Sequence, residues 1–261
     1  MTTMRQITPL LVFLAVPCYC QAPAAPAFEV ASITPCKPGT PEPPGERNGM
    51  VRFTFPGGRF EARATSVSFL IEWAYDILPS QHSGGPAWMD NDRYDIVAKA
   101  PGNAPDDEIK LMARALLAER FHLKVHHDIR EAPVLILTAG KNAPKLFPPK
   151  EDEKHSLKII PVMNGDRKVI SYRVVATRFS FAQLNQTFAR QLERVIVNQT
   201  GLEGDFDFEL QLSPDETTPN PLDPALLISA MRDQLGLTLK SQKGPVDFLV
   251  IDSAEKVAAG N

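Results

Sequence analysis

Three histidines lie close together at His122, His126 and His127, and imidazole is a common zinc ligand. The segment from His122 to His127 is predicted to be a strand. At the usual rise per residue, His122 and His126 then stand about 13 Å apart. One ion cannot bind both without a bend, so strand-surface histidines are expected and no metal site. A second cluster, Asp90-Asn91-Asp92 with Asp95, has the oxygen ligands calcium prefers. The EF-hand pattern needs Gly at its sixth position and Glu at its twelfth, where this chain has Asp95 and Pro101. A polar turn entering a strand at Tyr94 is expected instead. Asp205 and Asp207 occupy the corresponding place later in the chain, which points to a structural turn used twice. Paired carboxylates can hydrolyse glycosides, but only when the fold brings them within reach of one bond. The chain contains no His-Glu-x-x-His, no Gly-x-Ser-x-Gly and no phosphate-binding glycine loop. No catalytic residue, cofactor or metal is therefore expected.

The best candidate for a binding surface is Gly84-Gly85-Pro86-Ala87-Trp88-Met89, together with Trp73 and Tyr75. Two glycines permit an unusual backbone path, and Trp88 places a large amphipathic ring on a loop. The alternative is that Trp88 plugs a junction between sheet and helix.

These residues sit in a pattern that occurs twice. Phe60-Glu-Ala-Arg-Ala-Thr65 matches Tyr172-Arg-Val-Val-Ala-Thr177, and Ser68-Phe69 matches Ser180-Phe181, in both cases 112 residues on. Tyr94-Asp95-Ile96 matches Phe206-Asp207-Phe208, Leu123-Lys-Val125 matches Leu237-Thr-Leu239, and Pro133-Val134 matches Pro245-Val246. The spacing implies an internal duplication of about 110 residues.

Each copy opens with a hairpin. The first turns at Pro56-Gly57-Gly58, and the second at Asn164-Gly165, a type I′ signal. A helix follows, capped by Thr65 or Ser66 in one copy and by Ser180 in the other. A strand comes next, at Tyr94–Ala98 and Phe206–Leu212. A second helix then carries Ile109, Met112, Ala113, Leu116 and Leu117, or Leu227, Ala230, Met231 and Leu235, at helical spacing. Asp223-Pro224 starts the later helix and Gly236 stops it. Two strands close each copy: His122–His127 with Val134–Ala139, and Leu237–Lys240 with Val246–Asp252. The expected fold is α+β, two tandem β-β-α-β-α-β-β repeats with mainly antiparallel sheets.

The expected organisation is a signal peptide over 1–22, an N-terminal strand and Pro-rich loop over 23–49, and repeat 1 over 50–143. A linker over 144–155, repeat 2 over 156–256 and a tail over 257–261 follow. Residues 1–22 have a charged start, an apolar run from Ile7 to Val16 and the small-residue exit Cys20-Gln21-Ala22. Export is expected, to the periplasm or the exterior, with cleavage near Ala22; lipidation at Cys18 is the alternative. Cleavage leaves Cys36 as the one cysteine, in a proline-rich loop where a free thiol is expected. The composition, 43% hydrophobic and 23% charged over 261 residues, is that of a globular protein. A net charge of −3 gives no basic field for nucleic acid. No transmembrane segment is expected in the mature chain, because its apolar runs are too short.

Several stretches carry a resemblance: Phe28-Glu-Val-Ala-Ser-Ile33, Gly84-Gly-Pro-Ala-Trp88, Arg93-Tyr-Asp-Ile-Val-Ala-Lys-Ala100, and Leu116-Leu-Ala-Glu-Arg-Phe121. Thr200-Gly-Leu-Glu-Gly204, Gly244-Pro-Val246 and Val250-Ile-Asp252 add to it. With them the chain resembles a soil-associated family of exported proteins, expanded in Acidobacteria, that carries a domain of unknown function. The resemblance implies export and no established activity, so it assigns no site residue. It also implies kinship with additions to membrane metallopeptidase sensors of the antibiotic-response type. Asn198-Gln199 departs from the acid and base that relatives carry before Thr-Gly. A looser likeness, at the level of fold, is to the small periplasmic domains that precede secretin and TonB-receptor pores.

The leading expectation is a non-catalytic binding or protein-interaction module of the cell envelope. Its partner would be an envelope protein or a small cell-wall-derived ligand. The alternatives are an envelope sensor that binds a small ligand near Trp88, and a secreted hydrolase using acids of the Asp90–Asp95 turn or its counterpart. A cleft lined by Trp73 and Trp88 would favour the sensor, and an open apolar sheet edge the interaction module.

Overall fold

The computed structural model describes residues 26–42, 53–140, 144–150, 153–214 and 223–257. The signal segment 1–22 and residues 43–49 of the Pro-rich loop lie outside these residues. The first half contains β1 (Val30–Pro35), β2 (Thr54–Phe55), β3 (Arg59–Thr65), α1 (Val67–Tyr75), β4 (His82–Gly84) and α2 (Trp88–Asn91). It continues with β5 (Tyr94–Lys99), α3 (Asp106–Arg120) and β6 (Lys124–Ala139). The second half contains β7 (Ser156–Met163), β8 (Val169–Ser180), α4 (Phe181–Leu192), β9 (Ile196–Asn198) and β10 (Asp205–Leu212). After it come α5 (Pro224–Ala230), prolonged by a π-turn over Met231–Leu235, and β11 (Leu237–Ser253). The strands form three sheets, ordered β1-β5-β3-β2, β10-β8-β7 and β4-β11-β6-β9. The fold is α+β with mainly antiparallel sheets; β4 on β11 and β9 on β6 are the parallel pairs. Among the described residues no helix is long and apolar enough to cross a membrane.

The expected pair of closing strands in each half is one long strand. β6 and β11 do not fold back on themselves but pair with each other, from Leu237 opposite Ala139 to Ser253 opposite Lys124. Pro133 and Pro245 lie inside these strands. Each sits in a stretch where its strand has only one neighbour, and an edge position tolerates a residue without an N–H. The exchange reaches the cores. Leu249 and Ile251 of β11 join the first half's buried cluster, while Leu135 and Leu137 of β6 join the second's. The short strands follow the same rule, since β4 pairs with β11 and β9 with β6. The halves are thus interlocked rather than arranged in tandem.

Within each half a β-bulge sets the geometry. Ile96 pairs with Ala62 and Tyr94 with Thr65, which leaves Ala64 in the left-handed region at φ 48°. Phe208 pairs with Ala176 and Phe206 with Phe179, which leaves Arg178 at φ 49°. A side chain with a Cβ is strained there, and both bulges are held the same way. The Ala64 N–H donates to Asp95 Oδ1 at 2.8 Å, and the Arg178 N–H donates to Asp207 Oδ1 at 2.7 Å. The helix caps follow directly. The Ser66 hydroxyl accepts from the Phe69 N–H, and the Ser180 hydroxyl accepts from the Gln183 N–H.

Ser66 and Ser180 stand 114 residues apart, as do Ala64 and Arg178, so the 112-residue alignment of this stretch is two residues out of step. The small-residue similarity of Thr65 to Thr177 favoured the wrong register, and the bulge fixes the right one. The second hairpin also departs from expectation. Its strands end at Met163 and resume at Val169, and Gly165 is not left-handed, as a type I′ turn requires. The Asn164 side chain instead accepts from the N–H groups of Asp166 and Lys168, closing a five-residue loop.

Candidate functional site

A cleft of about 1010 Å³ opens between the two halves. The first half contributes the end of α1 with Trp73, Asp76 and Ile77, and the start of α3 with Asp106, Asp107 and Lys110. The second half contributes Leu157 and Ile159 of β7 and one long face of α4. That face holds Gln183, Gln186, Thr187, Arg190 and Gln191, which line the cleft at helical spacing. The opposite face of α4 buries Phe181, Leu184, Phe188 and Leu192 against the sheet, so the polar stripe is left pointing at the first half.

A polar seam crosses the junction. Asp76 ends α1 in a left-handed conformation, and its Oδ1 accepts from Lys110 Nζ at 2.5 Å and from Gln186 Nε2 at 2.6 Å. Glu72, one turn earlier, is buried, and its Oε1 pairs with His82 Nε2 at 3.1 Å. Burial pulls the Arg190 guanidinium below its ordinary pKa, while the charges of Glu72 and then Asp76 push it back up. Glu72 and Asp76 correspond to Gln186 and Arg190 at the 114-residue spacing. Acids on one helix therefore face an amide and a cation on its counterpart.

The expected binding surface does not assemble around this cleft. Trp73 lines it, with its other contacts to Phe53 and Phe60 at 5.3 and 5.4 Å between ring centroids. Trp88 lies elsewhere, stacked on Phe121 at 6.2 Å and edge-on to Tyr94 at 6.4 Å, with Lys256 Nζ 5.8 Å from its ring centroid. Tyr75 lies under the Arg114 guanidinium at 4.6 Å. Gly84 and Gly85 serve the β4–β11 pairing. A Cβ on Gly84 would meet the Ile251 carbonyl oxygen at 2.6 Å, and one on Gly85 would meet Met89 Sδ at 2.9 Å. Pro86 opens the turn before α2 and accepts from the Met89 N–H. Only Trp73 of the six lines the cleft.

The histidines divide among separate hydrogen bonds. His126 and His127 bond Asp252 and Asp247 across the β6–β11 ladder, and His122 bonds Glu255. His122 precedes β6 as a left-handed residue at φ 46°, matching Gly236 before β11. Among the described residues no group of three or more potential ligands could hold a metal ion. Asp95 and Asp207 are committed to the bulges, and neither they nor Asp90 line the cleft. Arg190, Gln186 and Asp76 carried no motif. Their signal was the polar stripe on α4, complementary to the apolar stripe that marked the helix.

The family described as "Protein of unknown function (DUF3738)" matches residues 68–254. The chain belongs to this family. No curated protein and no solved structure matches it. The DUF3738 match runs from α1 to just past β11, so it takes in the second half, the first half from α1 onward, the exchanged strands and every residue named on the cleft walls. β1, β2 and β3 precede it.

Proposed function

We propose that this DUF3738 protein is a non-catalytic interaction module of the cell envelope, and that a partner strand adds to β7. The observation that carries this reading is the β7 edge. Among the described residues β7 pairs only with β8, and Leu157 and Ile159, opposite the buried Ala176 and Val174, stay exposed. An unpaired edge beside exposed apolar side chains suits β-augmentation. Pro161 lacks a donor, so the usable ladder is Ser156–Ile160, with Lys158 restricting which strands can add. The character of residues 1–22 supports export, and the motifs quoted above support kinship with exported proteins of soil Acidobacteria. The recurrent 114-residue spacing supports an origin by duplication.

The test is crosslinking of the mature protein in host envelope extract, followed by pull-down with the native chain and with Ile159→Lys. One envelope protein enriched by the native chain and lost with Ile159→Lys is expected. Equal enrichment by both, or no specific protein, counts against the reading.

A second reading, an envelope sensor for a small ligand, is favoured by the cleft. It moves the binding place from Trp88 to the space beside Trp73. A pocket of this volume with apolar walls and a few convergent polar groups is suited to small molecules.

A further inference from the structure

We propose that the cleft between the halves binds an amphipathic anion: an apolar chain with a carboxylate or phosphate headgroup. The proposal rests on the ligand-binding reading and names its ligand class; it needs no partner strand.

The headgroup end is the α4 stripe. Its five cleft-lining side chains, Gln183, Gln186, Thr187, Arg190 and Gln191, include four that carry N–H donors and none that is acidic. Arg190 is the centre. Its guanidinium makes no hydrogen bond and no ion pair within 4 Å among the described residues, although the side chain is half-buried. A desolvated guanidinium without hydrogen bonds is costly, and a carboxylate or phosphate satisfies its fork with two charge-assisted bonds. The two acids that face it are engaged elsewhere. Glu72 Oε1 is taken by His82, and Asp76 Oδ1 by Lys110 and Gln186. They keep Arg190 charged without closing its fork.

The chain end is the β7 wall. Leu157 is 37% exposed and Ile159 42% exposed, both lining the cleft, and Val174 lies beside Ile159 on β8. Apolar surface left open inside a concave site gains by being covered. Asp106 and Asp107 would repel an anion, but they belong to the first turn of α3, where the helix dipole offsets them. The headgroup is therefore directed to α4 and away from α3.

The experiment is titration calorimetry of the mature chain with four probes below their micelle concentrations. These are dodecanoate, dodecyl phosphate, dodecyl maltoside and dodecyltrimethylammonium. Saturable one-to-one binding of an anionic probe is expected, about tenfold or more tighter than the maltoside, with the cation weakest. Comparing the two anions separates carboxylate from phosphate as the headgroup. Arg190→Gln should abolish the preference for the anion and leave maltoside binding unchanged, whereas Ile159→Asp should weaken every probe. If Arg190→Gln does not fold, Thr187→Glu places an acid in the same stripe and should likewise remove anion binding.

Maltoside or cation binding as tightly as the anions would overturn the ligand class but keep the cleft as a binding site. Anion binding untouched by Arg190→Gln or Thr187→Glu would also overturn it. Failure of all four probes would overturn the proposal. If no cell-wall fragment then raised the melting temperature either, the ligand-binding reading would fail with it.

Discussion

The two halves share a frame and differ in how much of it they cover. In the first, β1 pairs along β5 from Val30–Lys99 to Pro35–Tyr94, and Phe28, Phe53, Phe60 and Trp73 pack around one another. In the second, the matching side of β10 has, among the described residues, one bridge, Phe147 to Asp207. Lower down that edge Gln234 substitutes for a strand. Its side chain accepts from the Gln211 N–H and donates to the Gln211 carbonyl, while the matching Arg120 in the first half reaches the Ala31 carbonyl of β1. On the other side β7 is left open. One half is packed around aromatic rings and carries the added strand β1, and the other presents the longer edge strand β7 and its helix stripe. Interlocking joins them, because the first half supplies β6 to the second.

The largest effect should come from breaking the interlock. Residues 23–150 expressed alone lose β11, and with it the partner of β4 and the core residues Leu249 and Ile251. We predict no cooperative unfolding transition for this fragment by circular dichroism, and recovery on co-expression with residues 151–261. A sharp transition for the fragment alone would show two independent domains.

Next comes the asymmetry of packing. Phe60 and Val174 occupy matching positions and are both buried. Phe60→Ala should cost about 3–5 kcal/mol and Val174→Ala about 2 kcal/mol in urea unfolding. Equal costs would contradict the picture of an aromatic half and a lighter one.

The seam between α1 and α4 gives a third test. Arg190→Met removes the positive charge that Glu72 and Asp76 act on, with no direct ion pair among the described residues to break, and should destabilise by about 1 kcal/mol. Glu72→Gln in the same chain should restore more than half of that, because His82 still has a partner. Additive losses in this double-mutant cycle would mean that the two side chains are not coupled.

The smallest effect is at the caps. Ser66→Ala and Ser180→Ala should each cost about 1 kcal/mol. Ser180 adds a reciprocal bond, with Gln183 Oε1 accepting from its N–H, so Ser180→Ala with Gln183→Ala should exceed Ser66→Ala. The reverse order would show that the deeper burial of Ser66 outweighs the capping box.

Much of this was legible in the residues because it is local. Apolar spacing marked α1, α3, α4 and α5; Asp223-Pro224 and Gly236 bounded the last helical segment; Asp95 and Asp207 marked a turn used twice. Local signals misled where a residue answers to a distant partner. The gaps expected between His127 and Val134 and between Lys240 and Val246 lie inside β6 and β11, because the strand that passes each of them is far away in the chain. β4 and β9, three residues each, were too short to show periodicity.

The cleft was the least legible part. The polar stripe of α4 was visible as spacing, but what faces it depends on how the halves dock. The sequence by itself determined the α+β class, the helices α1, α3, α4 and α5 and their caps, because each is a property of residues within a few turns of one another. Only the tertiary structure decided that β6 and β11 exchange between the halves and that Arg190 lies in the field of Glu72 and Asp76. Pairing of strands more than a hundred residues apart depends on backbone hydrogen bonds and shared burial, and these leave no mark on the spacing of either strand alone.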